Sequence, residues 1–248
     1  MVTTLSSELA ILGGKKINDK EPMQWCNSIK EEEKKAVLEV LDSGVLSGFQ
    51  ASANDMFWGG EKVKELENAF KQHYEIDYAL AVNSATSALH CAMMALGLEI
   101  GEEVITSPYT MSATSTSILM VGGIPIFADI DENTYCLDPH SVEKNITEHT
   151  KAICAVNILG HPAPLLELKK IADKYNLILI EDNSQAPDAI HYGSYTGTVG
   201  DIGVFSFNRH KVMQSGEGGV MISKNENLFQ KASLFRNHGE AVVDSFNI

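Results

Sequence analysis

The feature that most constrains the fold is a regular alternation of short apolar segments with helical segments from residue 78 onward. The predicted strands are YALAVNS, EVITSPY, IPIFADI, AICAVNILG, LILIEDNS, IGVFSFN and GGVMIS, and the helices between them include ATSALHCAMMALGL, MSATSTSILMVG and LLELKKIADKYN. Strands that are apolar on both faces and alternate with helices are typical of a mainly parallel sheet covered on both sides. The sequence therefore predicts a three-layer α/β/α fold, with IGVFSFN and GGVMIS as paired strands.

Two helices are predicted before this alternation. In SIKEEEKKAVLEVLDSG, Ser28 is the candidate N-cap, residues 31–33 supply three glutamates to the first turn, and Gly44 ends the helix. GGEKVKELENAFKQHYEI is amphipathic, with apolar side chains at helical spacing at Val63, Leu66, Phe70 and Tyr74. Residues 1–30 are rich in turn formers. We expect an N-terminal segment at 1–30 and one large domain at 31–248.

Composition excludes several classes of partner. The formal net charge is -14, which disfavours binding to nucleic acid or to an anionic membrane surface. We see neither a secretory signal pattern nor an apolar run of the ~20 residues that a membrane span needs. The four cysteines lack zinc-like spacing, so we expect reduced thiols, no metal site and a cytoplasmic protein; they are Cys26, Cys91, Cys136 and Cys154.

The ends of the predicted strands are the place to look for a site. In open α/β sheets, ligands bind outside the carboxyl ends of the strands. The polar residues found there are Asn83 and Ser84, Ser107 to Thr110, Asn157, Asp182 to Gln185, and Ser206 to Lys211. We expect these side chains to converge at one edge of the sheet.

The stretch NSATSALH follows a strand and opens a helix. Thr86 and the free N–H groups of the first turn can bind phosphate there, although the same pattern also fits an ordinary helix cap. Neither GxxxxGK[ST] nor GxGxxG occurs, which disfavours a P-loop nucleotide triphosphatase and the usual dinucleotide-binding site.

LILIEDN and FSFNRHKVMQSGEGG supply the remaining candidates. Glu181 and Asp182 end an apolar strand, where a carboxylate needs a cation or hydrogen-bond donors. A strand-end acid can be no more than a solvated cap, and a lone loop lysine such as Lys211 is usually a solvated charge. Together, however, a lysine, a carboxylate and a phosphate-binding helix start, with Ser206 on the strand leading to the lysine, are the parts that hold pyridoxal phosphate as a Schiff base.

With these residues in view, the chain resembles the DegT/DnrJ/EryC1/StrS family of sugar aminotransferases, which are fold-type-I enzymes dependent on pyridoxal 5'-phosphate. Nine stretches carry the resemblance, in order along nearly the whole chain. They are LAILGG, LDSGVLSG, VNSATSALHCAMMALG, GEEVITSPYTMSATSTSI, IFADIDENTYCLDP, VNILGHPAPL, IEDNSQAPDA, GDIGVFSFNRHKVMQSGEGG and FRNHG. The order of so many stretches makes the resemblance specific.

The resemblance implies a role for individual residues. Lys211 falls on the family's Schiff-base lysine, which also shuttles the proton during catalysis. Asp182 falls on the acid that pairs with the pyridine nitrogen, and Gln185 on the residue near the phenolic oxygen. The phosphate-binding positions are Ala85, Thr86 and Ser206. GEGG then becomes a tight turn that returns the chain to the next strand.

Two departures from the family pattern bear on the chemistry. The residue that stacks on the cofactor ring is usually aromatic, but Met111 aligns with it here, with Tyr109 as the alternative. Members that dehydrate their substrate carry histidine at the lysine position. Here the spacing on both sides puts Lys211 at that position and His210 one residue before it, which favours transamination.

The third departure is length, because family members continue for more than a hundred further residues into a small C-terminal domain. The chain is therefore expected to carry the large cofactor domain alone. The implied activity moves an amino group from glutamate or glutamine to a keto-sugar, nucleotide-linked in most members, or to a cyclitol ketone. This activity belongs to sugar and polysaccharide biosynthesis, and the implied assembly is a homodimer with a shared active site. A sugar dehydratase or lyase on the same fold and a non-catalytic regulator are the alternatives.

Overall fold

The computed structural model describes Ala10, residues 14–15 and residues 29–246. Contacts between residues divide the chain into two compact units, Met1–Leu46 and Ser47–Ile248. The division predicted from the sequence, at residue 30, stays a prediction.

The described part of the first unit contains helix α1, Glu31–Ser43, which ends as predicted at Gly44 in the left-handed conformation (φ 69°). The prediction of Ser28 as the N-cap is wrong, because Lys30 occupies the N-cap position. Ser28 itself lies outside the described residues. The Glu33 carboxylate accepts the Lys30 N–H at 2.7 Å, so a glutamate of the first turn caps the helix.

The second unit alternates strands and helices as the sequence predicts. Its helices are α2 (Glu61–His73), α3 (Ala85–Leu96), α4 (Ser112–Met120), α5 (Pro139–Lys144), α6 (Leu165–Tyr175) and α7 (Glu226–Arg236). Its strands are β1 (Tyr78–Val82), β2 (Glu103–Thr106), β3 (Ile124–Phe127), β4 (Thr150–Val156), β5 (Ile178–Asp182), β6 (Ile190–His191), β7 (Ser194–Tyr195), β8 (Ile202–Ser206) and β9 (Gly219–Ser223). Sequence reasoning missed α5 and α7 as well as the small β6–β7 hairpin.

Seven strands form the central sheet in the order β1-β9-β8-β5-β4-β2-β3. The β2–β3, β2–β4, β4–β5 and β5–β8 pairs are parallel, and β9 runs antiparallel to both β8 and β1. This mainly parallel sheet confirms the predicted α/β class, and IGVFSFN and GGVMIS pair as expected.

The two faces of the sheet bury separate apolar clusters because side chains alternate along each strand. On one face, Leu80, Val104, Ile180 and Met221 pack with residues of α3, α4 and α7. On the other, Ile105, Ile153 and Leu179 pack with α6, while Phe205, Val220 and Ile222 pack with α2. These clusters give the three layers that the sequence predicts.

The turn that connects β1 to α3 is tightly packed. Ser84 is the N-cap of α3, and its hydroxyl oxygen accepts the Ser87 N–H at 3.0 Å. Gly219, opposite Val82 in the sheet, lies so close beneath this turn that a Cβ there would stand 2.7 Å from the Ala85 nitrogen. Only glycine allows this approach, which holds the first turn of α3 against the end of the sheet.

Two further sequence expectations can be compared with the described residues. Within them, no helix is long and apolar enough to span a bilayer. Three of the cysteines, Cys91, Cys136 and Cys154, are buried free thiols, as predicted. Cys26 lies outside the described residues.

Candidate active site

One pocket brings together all seven residues predicted to bind the cofactor or act on it. It opens at the carboxyl ends of the parallel strands, on the face covered by α3 and α4, and its space is about 630 Å³ including the solvent-filled mouth. The seven predicted residues that line it are Ala85, Thr86, Met111, Asp182, Gln185, Ser206 and Lys211. These residues come from four separate stretches of the sequence, so the pocket exists only in the folded chain.

The first turn of α3 forms one side of the pocket. The N–H groups of Ala85 and Thr86 begin this helix and have no intrahelical acceptor by their position. Both residues line the pocket together with Ser206, which lies at the end of β8. Free N–H groups at a helix start, with hydroxyl groups beside them, favour a phosphate.

Asp182 lies at the inner end of the pocket, at the end of β5, and its side chain is buried. Its Oδ2 accepts the Thr114 hydroxyl at 2.9 Å, and its Oδ1 accepts the Ser184 N–H at 3.2 Å. An ionised carboxylate can accept about four hydrogen bonds. The remaining capacity is available to a cation or a protonated nitrogen in the pocket.

Lys211 lies in the loop between β8 and β9, at the turn where its N–H donates to the Asn208 carbonyl at 2.8 Å. Burial lowers the pKa of its amine, and the negative charge of Asp182 opposes part of this shift. Among the described residues, the amine has no salt-bridge partner. A lysine in this setting holds more neutral amine, the nucleophilic form, than an exposed lysine does.

The loop itself is an extension of the strand pair, which agrees with the turn expected for GEGG. The Phe207 N–H donates to Gly218 and the Arg209 N–H to Gly216, each at 2.9 Å. Glu217 accepts the Asn208 side-chain amide at 2.7 Å. These bonds fix the loop at both ends, with Lys211 near its tip.

Gln185 is held in one orientation by the neighbouring turn. Its Oε1 accepts the Leu159 N–H at 2.8 Å, and Leu159 adopts a left-handed conformation (φ 53°) to present that group. With its oxygen occupied, the amide has its NH₂ group left to donate. That group suits an anionic oxygen in the pocket.

Met111 and Tyr109 occupy different environments. Met111 is the N-cap residue of α4 and lines the pocket with 60% of its surface exposed. The Tyr109 ring instead contacts the ring of Tyr135, with centroids 5.6 Å apart, and does not line the pocket. This favours Met111 as the candidate for ring contact.

Glu181, the neighbour of Asp182, points to the opposite face of the sheet. Its carboxylate is fully buried and accepts the N–H groups of Gly197, Val199 and Gly200 at 2.6 to 2.8 Å, and the Asn157 amide at 3.3 Å. Burial raises its pKa, and these donors offset part of the rise. Of the two strand-end acids, Glu181 is therefore structural and Asp182 faces the pocket.

Sequence reasoning missed two polar residues at the site. Thr114 is buried on α4 and holds Asp182, and its only signal was its spacing of four from Thr110, whose hydroxyl lies 3.3 Å away. Glu217 lines the pocket from within GEGG, where the acid among glycines was the only signal.

The comparisons with known proteins agree with this geometry. The sequence profile of the DegT/DnrJ/EryC1/StrS aminotransferase family matches residues 27–247. The chain belongs to this family.

Curated relatives include sugar and cyclitol enzymes. GDP-perosamine synthase of Escherichia coli O157:H7 is 35% identical, over 87% of this chain and 56% of that protein. The putative L-glutamine:3-amino-2,3-dideoxy-scyllo-inosose aminotransferase of Streptoalloteichus tenebrarius is 36% identical, over 98% of this chain and 57% of that protein. The chain thus spans about half the length of the curated relatives it matches.

Solved structures give the same fold. An aminotransferase from Psychrobacter cryohalolentis superposes with a TM-score of 0.82 and 33% identity, covering 92% of this chain and 56% of that one. The GDP-4-keto-6-deoxy-D-mannose-3-dehydratase of E. coli, solved with hydrated PLP bound, gives 0.74 and 30%, covering 83% and 51%. Both an aminotransferase and a dehydratase therefore share this architecture.

Proposed function

We propose that this chain carries the cofactor-binding half of a pyridoxal 5'-phosphate-dependent aminotransferase. The proposed reaction moves an amino group from glutamate or glutamine to a keto-sugar, nucleotide-linked, or to a cyclitol ketone. The observation that carries the proposal is the meeting of Lys211, Asp182 and the first turn of α3 in one pocket. An amine, a carboxylate and an anion-binding helix start match the aldehyde, ring nitrogen and phosphate of the cofactor.

The residues divide the work of binding by their chemistry. The N–H groups of Ala85 and Thr86, with the Ser206 hydroxyl, would hold the phosphate. Asp182 would hold a proton at the ring nitrogen, and Gln185 would donate to the phenolic oxygen. The bound cofactor supplies an electron-withdrawing ring that takes up the electron pair of a broken C–H bond.

Lys211 would act twice in this scheme. Its neutral amine would be the group that holds the cofactor aldehyde covalently. The same amine, when free, would move a proton at the substrate carbon next to nitrogen. The buried position that lowers its pKa favours both roles, because each requires the unprotonated amine.

The pocket wall also has an apolar part. Leu89 of α3 and Val156 at the end of β4 contribute to it. Met111 would contact the ring face through its polarizable sulfur.

A covalent labelling experiment tests the cofactor assignment. The protein is incubated with pyridoxal phosphate, reduced with borohydride and digested, and the labelled peptide is found by mass spectrometry. We expect one label, on Lys211, and its loss in Lys211→Ala. His210→Ala is the matched control and should keep the label. A label that persists without Lys211 would contradict the proposal.

Isotope transfer separates the reaction classes. The protein is given [15N]glutamate or [15N]glutamine with a keto-sugar. Aminotransfer puts 15N into the sugar product, whereas a dehydratase releases it as ammonium and leaves a deoxy sugar. Cofactor binding with neither product would favour the non-catalytic regulator. Separate reactions with each donor also distinguish glutamate from glutamine.

A further inference from the structure

The stretch FRNHG contributes a buried ion pair whose two residues do not line the pocket. Arg236, the last residue of α7, donates from Nη1 to Oε1 of Glu67 on α2 at 2.5 Å. The side chains are only 5% and 11% exposed, and the guanidinium lies 4.9 Å from the centre of the Phe49 ring. Two of its nitrogens, Nε and Nη2, are buried without a hydrogen-bond partner among the described residues.

This pair completes the free edge of the sheet. β1 is an edge strand, and Ala81 lies opposite Val220 of β9. The Glu67 Oε1 accepts the Ala81 N–H at 2.9 Å, and Arg236 Nη1 reaches the Ala81 carbonyl at 3.5 Å. Both backbone groups would otherwise be an unpaired strand edge. At Ala81, the ion pair therefore takes the place of a neighbouring strand.

The position of Ala81 connects this edge to the pocket. Three residues later, Ser84 begins α3, whose first turn lines the pocket. Gly219 packs against that turn from below, so the strand end is held from the side of β9. The Glu67–Arg236 pair holds it from the other side.

Arg236 also lies beside α3 itself. Burial raises the pKa of the Cys91 thiol, in the second turn of α3, to about 11, and the charge of Arg236 opposes part of that rise. One guanidinium thus contacts α2 and β1 and acts electrostatically on α3. Of these elements, α2 packs on β1, and β1 packs on α3.

We infer that Glu67 and Arg236 are positioning residues that set the anion-binding geometry at the start of α3. The inference rests on the proposed function, because the anion concerned is the cofactor phosphate. A purely structural pair would contribute to stability alone. A positioning pair must also change how well the pocket distinguishes a ligand with the phosphate from the same ligand without it.

Pyridoxal phosphate and pyridoxal are the matched probes for this difference. Their dissociation constants are measured for each variant by reductive labelling of Lys211, at a temperature well below that variant's midpoint of unfolding. The main variant is Glu67→Leu/Arg236→Met, because removing both charges leaves neither one buried and unpaired. We expect its preference for pyridoxal phosphate, the ratio of the two dissociation constants, to fall about tenfold. Its affinity for pyridoxal should stay near that of the wild type.

Two further variants act as controls. Glu67→Gln leaves the Arg236 charge unpaired and should lower the midpoint of unfolding. It keeps an acceptor for the Ala81 N–H and for Arg236, so it should retain the preference. Lys169→Met breaks a less buried ion pair, in which Lys169 bonds Asp201 at 3.0 Å and Asp201 accepts the N–H of Leu179 near the opposite end of β5. It should leave the preference unchanged, because that end of the sheet lies away from the pocket.

The outcomes separate this inference from the proposed function. A wild type without a preference for pyridoxal phosphate overturns both. A wild type with the preference, and a double variant that keeps it despite a lower midpoint of unfolding, overturns the positioning role only. If the double variant does not fold, Arg236→Lys decides. Its compact ammonium lacks the planar fork, so the preference should fall, and an unchanged preference overturns the inference.

Discussion

Glu181 and Asp182 are adjacent carboxylates on β5 and both are buried, yet they lie in opposite kinds of environment. Glu181 is enclosed by four donors, three of them backbone N–H groups of the loop before β8. Asp182 has two donors and faces the pocket that also holds Lys211. Burial alone thus does not mark a functional carboxylate. What distinguishes Asp182 is unused accepting capacity directed at an open space.

The largest effect on the free energy of unfolding should come from removing the Glu181 carboxylate. In Glu181→Leu, the N–H groups of Gly197, Val199 and Gly200 lose their acceptor; the first bond is buried and the other two are part-buried. A buried donor left without an acceptor costs about 1–3 kcal/mol. We expect the free energy of unfolding to fall by roughly 3 kcal/mol or more in urea denaturation. Glu167→Leu, the same change at an exposed position on α6, should stay within about 0.5 kcal/mol. Equal losses in the two variants would contradict the comparison.

Asp182→Asn should show the reverse pattern. The free energy of unfolding should change by less than about 1 kcal/mol, because the amide oxygen still accepts one of the two donors. Affinity for pyridoxal phosphate should fall on the order of tenfold or more, since hydrogen bonds to charged groups contribute about 1.5–3 kcal/mol. Spectroscopic titration measures this affinity. A strongly destabilised variant with wild-type affinity would reverse the roles of the two acids.

Thr114→Val should have a smaller effect than Asp182→Asn on the affinity for pyridoxal phosphate. It removes the hydroxyl that orients Asp182 and keeps the side-chain volume. Affinity for pyridoxal phosphate should fall by about threefold to tenfold, the range given by one hydrogen bond of ordinary strength. Thr106→Val removes a buried hydroxyl bond of similar length, 3.0 Å to the Cys154 carbonyl, and should leave the affinity unchanged. Equal losses would show that Thr114 acts through stability alone.

The subtlest effect concerns pH. Burial lowers the pKa of Lys211, so its reductive methylation by formaldehyde and borohydride should have a midpoint below that of a lysine in a peptide. The charge of Asp182 favours the ammonium form, so Asp182→Asn should move the midpoint to still lower pH. Quantitative mass spectrometry of the Lys211 peptide measures both. An upward shift in the variant would mean that Asp182 does not act on Lys211.

The residues that line the pocket could be predicted from the sequence better than the residues that hold them in place. Asp182 and Lys211 could be found because strand ends of parallel sheets converge and because the residue types match one cofactor. Glu181 could not be separated from Asp182, since its donors come from a loop whose path depends on the whole fold. Thr114 lies inside a helix, where a threonine has no distinctive local signal.

The roles of Glu67 and Arg236 could not be predicted from the sequence either. They are separated by 169 residues, and α7, which carries Arg236, was not predicted. FRNHG was recognised as a motif, but no local pattern relates its arginine to the edge of a strand. Only the three-dimensional packing of α2, β1 and α7 brings these side chains to Ala81.

The bonded loop between β8 and β9 has a consequence for how this gene can change. Its backbone bonds hold Lys211 five positions after Ser206, with His210 at the fourth. Insertion of a single codon between Ser206 and His210 would bring the histidine to the fifth position and displace the lysine. The interval from Ser206 to Lys211 should therefore tolerate substitutions but no change in length, whereas codons gained beyond Lys211 would leave the amine in its place.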